Sequence, residues 1–175
     1  MTTSAALPTL NNAALQPRLQ AELIVADGLC PKIGELLPGA LHELVALGHS
    51  ANPLAAITEE LAKRRLAGRP VDTLHIVAHG RPGAFQIGGQ WVTSSTLIAN
   101  AAALAQWQAN TIALWSCEVG GDSDFITLTK ELTGSDVYCT SSTLSANRQS
   151  IRHKQDSTRK NLPQVFQEEL INSWP

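Results

Sequence analysis

Two short apolar runs in the chain end in the same abrupt way. DTLHIVAHGRPG (72–83) passes from a continuous apolar stretch to His79, and NTIALWSCEVGG (110–121) passes from a similar stretch to Cys117. Apolar side chains without alternation over a short run predict a strand that is buried on both faces, as in a parallel sheet. We therefore expect two neighbouring parallel strands that bring His79 and Cys117 to the same edge of one sheet.

Shorter signals predict the remaining strands. AELIVAD (21–27) is a buried run that ends at Asp27, and DVYCTSS (136–142) is the last strand of the series. ALHELVALG (40–48) fits a helix or a strand, and its length and its place after a Pro-Gly turn favour a strand. GAFQIGGQWVT (83–93) predicts a small hairpin that turns at its central Gly-Gly pair.

Three segments between these strands have the capping residues and the apolar stripe of amphipathic helices. Each begins with an Asn, Ser or Asp that can accept hydrogen bonds from the first turn, and two of them are closed by glycine. Their predicted limits are Asn52 to Gly68, Ser94 or Ser95 to Ala105, and Asp122 or Ser123 to Gly134.

Strands and helices thus alternate along most of the chain, which predicts an α/β fold, a three-layer sandwich with a mostly parallel central sheet. Ligands of such sheets bind beyond the carboxyl ends of the strands. Four residues of chemical interest fall at predicted carboxyl ends: Asp27, His79, Cys117 and Ser141. We expect a site at that edge.

Length and composition limit the number of domains and the classes of partner that the chain can have. The 175 residues suffice for one domain, divided here into a flexible arm (1–20), a folded domain (21–146) and a basic linker with a short C-terminal helix (147–175). The net charge of −2 argues against nucleic acid or a membrane surface as partner. No Sec signal and no membrane-spanning run is recognisable, so a cytoplasmic, soluble protein is expected, without excluding secretion that needs no signal.

Cys117 and His79 have the residue types of a nucleophile and its acid/base partner. A thiolate is favoured by a following helix N-terminus and a nearby imidazole, and that imidazole can protonate a leaving amine. The backbone N–H groups of Gly80 and Cys117 could supply an oxyanion hole for acyl transfer. A polypeptide is then the expected substrate, no cofactor or metal is expected, and the oligomeric state is open.

Other interpretations of the same residues stay open. The domain could be a non-catalytic module that binds a protein or peptide in the same groove, or the dyad could serve a small-molecule acyl hydrolase or transferase. His75, His79 and Cys117 could hold zinc, although no fourth ligand is evident, and His75 is more simply a buried imidazole bonded to backbone. Cys30 and Cys139 are expected to be structural.

The motifs LHIVAHGRPG, LWSCEVGG and LTGSDVYCTSS, in that order and spacing, resemble the cyanobacterial-type DUF4347 domain over residues 21 to about 146. That domain in turn resembles the caspase and gingipain clan of cysteine peptidases, in which His-Gly ends one strand and Cys ends the next. The resemblance implies a caspase-like fold and a His79/Cys117 dyad, with the Gly80 and Cys117 amides as the oxyanion hole.

The chain departs from that pattern next to the cysteine. Trp115-Ser116 stands where the domain usually has tyrosine-glycine, and Trp115 occupies the place of the acidic residue found in relatives that cleave after basic residues. Asp27 matches a position that lines the primary specificity pocket in several clan members, and its alternative role is to cap a helix or turn. Asp27, Trp115 and Ser141 are therefore the predicted lining of the substrate pocket. The basic run at 148–160 is a solvated linker or, alternatively, an autoprocessing site.

Overall fold

A mostly parallel sheet forms the centre of the fold. The computed structural model describes residues 21–144, 152–153 and 165. The strands in this part of the chain are β1 (Glu22–Asp27), β2 (Glu43–Leu47), β3 (Thr73–Val77), β4 (His79–Arg81), β5 (Ala84–Ile87), β6 (Gln90–Val92), β7 (Thr111–Trp115), β8 (Asp136–Cys139) and β9 (Arg152–His153). The central sheet has the order β2-β1-β3-β7-β8-β9, in which the first five strands are parallel and β9 is antiparallel to β8.

Helices cover both faces of this sheet, which confirms the predicted α/β class and is consistent with a three-layer sandwich. The helices of the described residues are α1 (Pro31–Gly34), α2 (Pro53–Leu66), α3 (Ser94–Ala99), α4 (Ala101–Leu104) and α5 (Ser123–Thr133), with 3₁₀ turns at Leu37–Gly39 and Val119–Gly121. Asn52 caps α2 by accepting from the Ala55 N–H, as predicted. Asp122, the first of the two predicted candidates, caps α5 through the Asp124 and Phe125 N–H groups.

The two faces of the sheet bury separate cores. The larger core contains buried side chains of α2 to α5, such as Leu61, Leu97 and Phe125. The second core lies on the opposite face, where α1 contributes Ile33, and Leu36, the residue before the following 3₁₀ turn, is also buried. Successive side chains of a strand point to opposite faces, so two cores require strands that are apolar on both sides. The continuous apolar runs of β3 and β7 meet this requirement.

A second, three-stranded antiparallel sheet stands at the carboxyl edge of the first. Its order is β4-β5-β6, and the predicted hairpin is its β5–β6 part. Gly88 and Gly89 have φ values of +61° and +79°, which a type I′ turn needs at both central positions. The pairing of β4 with β5 was not predicted. It makes His79 the first residue of a strand that leads away from the central sheet.

The structure corrects two predicted elements. The single helix predicted from Ser94 or Ser95 is broken at Asn100 into α3 and α4, and its N-cap residue is Thr93, which makes no side-chain capping bond. Asn100 instead donates from its side chain to the Thr96 carbonyl and accepts from Asn52. Within the predicted linker, residues 152–153 pair with β8. The predicted arm (1–20), the helix predicted from Pro163 and most of the linker lie outside the described residues.

Candidate active site

His79 and Cys117 lie at the carboxyl edge because of the pairing between β3 and β7. These strands are parallel neighbours, and Val77, the last residue of β3, is opposite Trp115, the last residue of β7. His79 and Cys117 each come two residues after these paired ends. The predicted arrangement of two neighbouring strands with both residues at one edge is confirmed.

Gly80 brings the two strand ends into direct contact. A Cβ atom at position 80 would lie 2.8 Å from the Cys117 nitrogen and 2.8 Å from the Ser116 Cβ, and it would overlap the Cys117 carbonyl oxygen. Real Cβ atoms do not approach other atoms so closely, so only glycine fits here. The two amides predicted as the oxyanion hole, at Gly80 and Cys117, therefore belong to segments in van der Waals contact.

The Cys117 thiol is held in place by the loop that follows β8. Its Sγ atom accepts from the Leu144 N–H at 3.4 Å, and the half-buried side chain packs against the second core. Backbone bonds from Glu118 to Ser142 and from Gly120 to Thr140 join the same two loops. Glu118 has a φ of +57°, which is uncommon for a residue with a side chain and marks a tight turn directly after the thiol.

Cys30, which was predicted to be structural, contacts the imidazole of His79. The distance from the Cys30 Sγ atom to the His79 Nε2 atom is 3.0 Å, and Cys30 is buried while His79 is exposed. Cys30 lies three residues after the end of β1, and β1 is the neighbour of β3. Its place near a strand's carboxyl end was the signal in the sequence that could have assigned it to the site.

The imidazole and the Cys117 thiol approach the same face of the sheet but are not bonded to each other. Cys30, the partner of His79, is part of the second core, and Cys117 packs against that core. Among the described residues, the Cys117 sulfur accepts from Leu144 and the His79 Nε2 atom contacts Cys30, and no hydrogen bond joins His79 to Cys117. The His79 Nδ1 atom is thus the nitrogen that Cys30 leaves available.

The residues predicted to line the substrate pocket have different surroundings. Asp27 is 3% exposed, and its Oδ1 atom accepts from the backbone N–H groups of Leu29 and Gly88, which is the turn-capping role considered as its alternative. Trp115 is buried. Ser141 is exposed on the loop that holds Cys117. Asp27 therefore anchors the β5–β6 hairpin against the end of β1.

Trp115 belongs to a buried polar network in the sheet interior. Its Nε1–H donates to the Nδ1 atom of His75 at 3.0 Å, and the Nε2 atom of His75 lies 2.8 Å from Glu22 Oε2. His42 stacks on His75, with ring centroids 5.9 Å apart, and lies 3.4 Å from the same carboxylate. His75 was expected to bond to backbone, and this expectation was wrong, because both of its nitrogens are used by side chains.

Burial controls the charge state of His75. Its side chain is fully buried, and this burial lowers the pKa of His75 below its ordinary value of 6.5, outweighing the opposite effect of Glu22. The Trp115 N–H requires an unprotonated Nδ1 atom, so the neutral tautomer with its proton on Nε2 satisfies both partners. His75 therefore has no nitrogen left for the zinc site considered with His79 and Cys117. No group of three or more potential metal ligands occurs in the described part of the chain.

A cavity of about 570 Å³ lies at the opposite end of the sheet, near the start of β1. Its walls include Glu43, Arg64, Arg69 and Asp72. Most of these charged side chains form ion pairs with each other, since Glu43 pairs with both arginines. The cavity contains none of the strand-end residues, so it lies apart from the candidate Cys-His site.

The fold and the strand-end residues define an α/β protein with a candidate Cys-His site at the carboxyl edge of its parallel sheet. Residues 23–151, well over half of the chain, match the family described as a domain of unknown function, DUF4347, and the chain belongs to this family. The match covers almost the whole predicted domain and continues a few residues beyond 146. Neither the curated proteins nor the solved structures include a match to the chain. In the part that the structure describes, no helix has the length and apolarity needed to cross a membrane.

Proposed function

We propose that this chain is a caspase-like cysteine endopeptidase in which Cys117 is the nucleophile and His79 is the general acid/base. The observation that carries the proposal is the register of β3 and β7, which places both residues two positions beyond paired strand ends with Gly80 packed on the Cys117 backbone. A nucleophile, an acid/base and two backbone donors at one strand edge are the parts that acyl transfer requires.

The reaction uses these parts in order. His79 takes the proton of the Cys117 thiol, and the resulting thiolate attacks the scissile carbonyl carbon. The carbonyl oxygen becomes an oxyanion that the Gly80 and Cys117 N–H groups stabilise. Collapse of this intermediate breaks the C–N bond, and the imidazolium of His79 gives its proton to the leaving amine. Water, deprotonated by His79, then hydrolyses the thioester and restores the Cys117 thiol.

In this proposal Cys30 positions the His79 imidazole and does not contact the substrate. Its sulfur faces Nε2, so the proton that moves during the reaction is carried by Nδ1. The Leu144 N–H directed at the Cys117 sulfur is an electrostatic contact suited to a thiolate. Binding of a substrate must then bring the Nδ1 atom and the sulfur into reach, because apo sites of this kind often tighten only in the complex.

A non-catalytic binding module is the second candidate. Two observations favour it: no hydrogen bond joins His79 and Cys117 in the described residues, and the Cys117 side chain is half-buried against the second core. In such a module the carboxyl edge would bind a peptide or protein and the thiol would pack as a small apolar group.

Turnover of peptides separates the two candidates. Wild-type chain and Cys117→Ala are incubated with a fluorogenic peptide library, and the intact mass of each chain is followed overnight. The peptidase predicts hydrolysis by wild type alone, and a cut within the basic run 148–160 seen only in wild type would add autoprocessing. Binding of peptides by both proteins without hydrolysis by either would instead establish the module. Hydrolysis of esters but not of peptides would indicate a small-molecule acyl hydrolase.

A further inference from the structure

The outer face of the three-stranded sheet continues directly from His79. In the register of this sheet His79 is opposite Gln86, and Gln86 is opposite Trp91. Residues directly opposite each other in antiparallel strands point to the same face, so these three side chains form a row. Arg81 follows His79 by two residues and shares its face.

The other face of the same sheet is fully occupied. Phe85, Ile87 and Val92 are buried and belong to the larger core. The inner face thus fixes the sheet to the body of the protein. The outer face, with His79 and Arg81 exposed and Trp91 at 36% exposure, is the one that a ligand can reach.

Arg81 and Trp91 form a preorganised pair on this outer face. The guanidinium carbon of Arg81 lies 4.2 Å from the centroid of the Trp91 ring, which is the geometry of a cation–π contact. Arg81 makes no ion pair with any described residue. A stacked guanidinium keeps its N–H edges free to bind a carboxylate, and the indole beside it offers an apolar surface.

The pair lies next to the loop that carries Cys117. The Gly83 N–H donates to the Val119 carbonyl, and a Cβ at Gly121 would lie 3.3 Å from Pro82. Residues 79–83 and 117–121 therefore run side by side, and a peptide that reaches the strand ends also passes the outer face of β4. Contact with Arg81 and reaction at Cys117 are compatible for one extended ligand.

Among the described residues, no acidic side chain forms an ion pair with Arg81 on this surface. Asp122 packs against Gly83, and its Oδ1 atom is committed to capping α5. Asp27, the other carboxylate considered for substrate recognition, is buried and bound to two backbone N–H groups. Within the described part of the chain, the charged side chain of the outer face next to His79 is Arg81.

We propose that the site binds peptides with an acidic side chain, whose carboxylate pairs with Arg81 while a neighbouring apolar residue packs on Trp91. This specificity rests on the proposed peptidase function, since it assigns the substrate class of the same edge. It opposes the selection of a basic residue by Asp27, and the two assignments predict opposite preferences.

The test measures binding and turnover separately. Short fluorescent peptides with one position fixed as Asp, Asn or Lys are titrated against the Cys117→Ala chain, and the same set is offered to wild type for cleavage. We expect about fivefold tighter binding of the Asp peptide than of its Asn counterpart, the upper range for an exposed ion pair. Arg81→Glu should reverse this preference towards Lys, whereas Arg69→Glu, at the opposite end of the sheet, should leave it unchanged.

The possible results distinguish a failure of the acidic specificity from a failure of the peptidase function. Equal affinity for the Asp and Asn peptides, or a preference for Lys in wild type, overturns the acidic specificity even if turnover is observed. An acidic preference that Arg81→Glu reverses, without turnover of any peptide, supports the recognition surface and removes the peptidase. An acidic preference that survives Arg81→Glu but is lost in Arg69→Glu would also overturn the assignment.

Discussion

The chain carries two histidines four residues apart, His75 within β3 and His79 just beyond it, and their surroundings differ in every respect. His75 is completely buried, and both of its ring nitrogens are paired, with Glu22 and with Trp115. His79 is exposed, and one ring nitrogen contacts Cys30. The imidazole thus has a structural environment at His75 and an environment that is accessible for chemistry at His79.

The difference shows what a candidate catalytic imidazole requires. A histidine with two committed nitrogens and a pKa lowered by burial stays neutral and joins strands, as His75 joins β1, β3 and β7. A histidine held at one nitrogen keeps the other for proton transfer. The comparison therefore predicts that replacing His79 affects chemistry and that replacing His75 affects folding.

The largest effect is expected for His79→Ala. General acid/base catalysis contributes about 10²- to 10⁴-fold to a rate, so peptide turnover should fall by at least about 100-fold. The free energy of unfolding should change by less than about 1 kcal/mol, because the side chain is exposed. Turnover assays and urea denaturation of the same preparation measure both. Retained turnover in His79→Ala would remove this residue from the mechanism.

His75→Ala should instead lower the free energy of unfolding by about 2–4 kcal/mol. The substitution removes a buried ring and leaves the Trp115 N–H and the Glu22 carboxylate without their partner. Urea denaturation against wild type and His79→Ala provides the comparison. A loss of stability no greater than that of His79→Ala would show that the buried network is not structural.

Cys30→Ala should slow the alkylation of Cys117 by about two- to tenfold, the range expected for one hydrogen bond that positions the imidazole. Cys30→Ser keeps a polar group near Nε2 and should restore most of the rate. The pH profile of alkylation separates positioning from mere packing, since only positioning shifts the profile. Equal profiles in Cys30→Ala and wild type would contradict the assignment.

The smallest effect concerns pH. Because folding lowers the pKa of His75, the unfolded chain binds a proton near pH 6.5 before the folded chain does. The contribution of His75 to the free energy of unfolding is complete above pH 6.5. It falls as the pH drops below that value, and it levels off below the pKa of His75 in the folded state. The slope is at most about 1.4 kcal/mol per pH unit for one proton.

Urea denaturation between pH 7.5 and 5, in wild type and in His75→Gln, isolates this contribution. An identical pH dependence in the two proteins would show that His75 is not the group responsible.

Much of the fold could be predicted because its signals are local. Continuous apolar runs fixed β3 and β7 as buried neighbours, Asn52 and Pro53 marked the start of α2, and the Gly-Gly pair marked the hairpin turn. The break at Asn100 was missed because the helical pattern continues through it. It depends on a side-chain bond to Asn52, 48 residues earlier in the sequence.

Of the candidate site, the sequence predicted only the residues that lie at the carboxyl ends of the strands. The edge position of His79 and Cys117 follows from strand order alone. The contact of Cys30 with His79 spans 49 residues and depends on how the loop after β1 turns back, which no local pattern encodes. The side-chain partners of His75 could not be predicted for the same reason. The contact of Arg81 with Trp91 could not be predicted either, because it depends on the unpredicted pairing of β4 with β5.

The most direct test of the central claim is the rate at which iodoacetamide alkylates Cys117, located by peptide mass mapping in wild type and in His79→Ala. Cys139 is buried and serves as the internal reference in each sample, because Cys30 loses its contact with the imidazole in His79→Ala. We predict selective and fast labelling of Cys117 that is lost in His79→Ala and kept in His75→Gln. Equal, slow labelling of all three cysteines in wild type would contradict it.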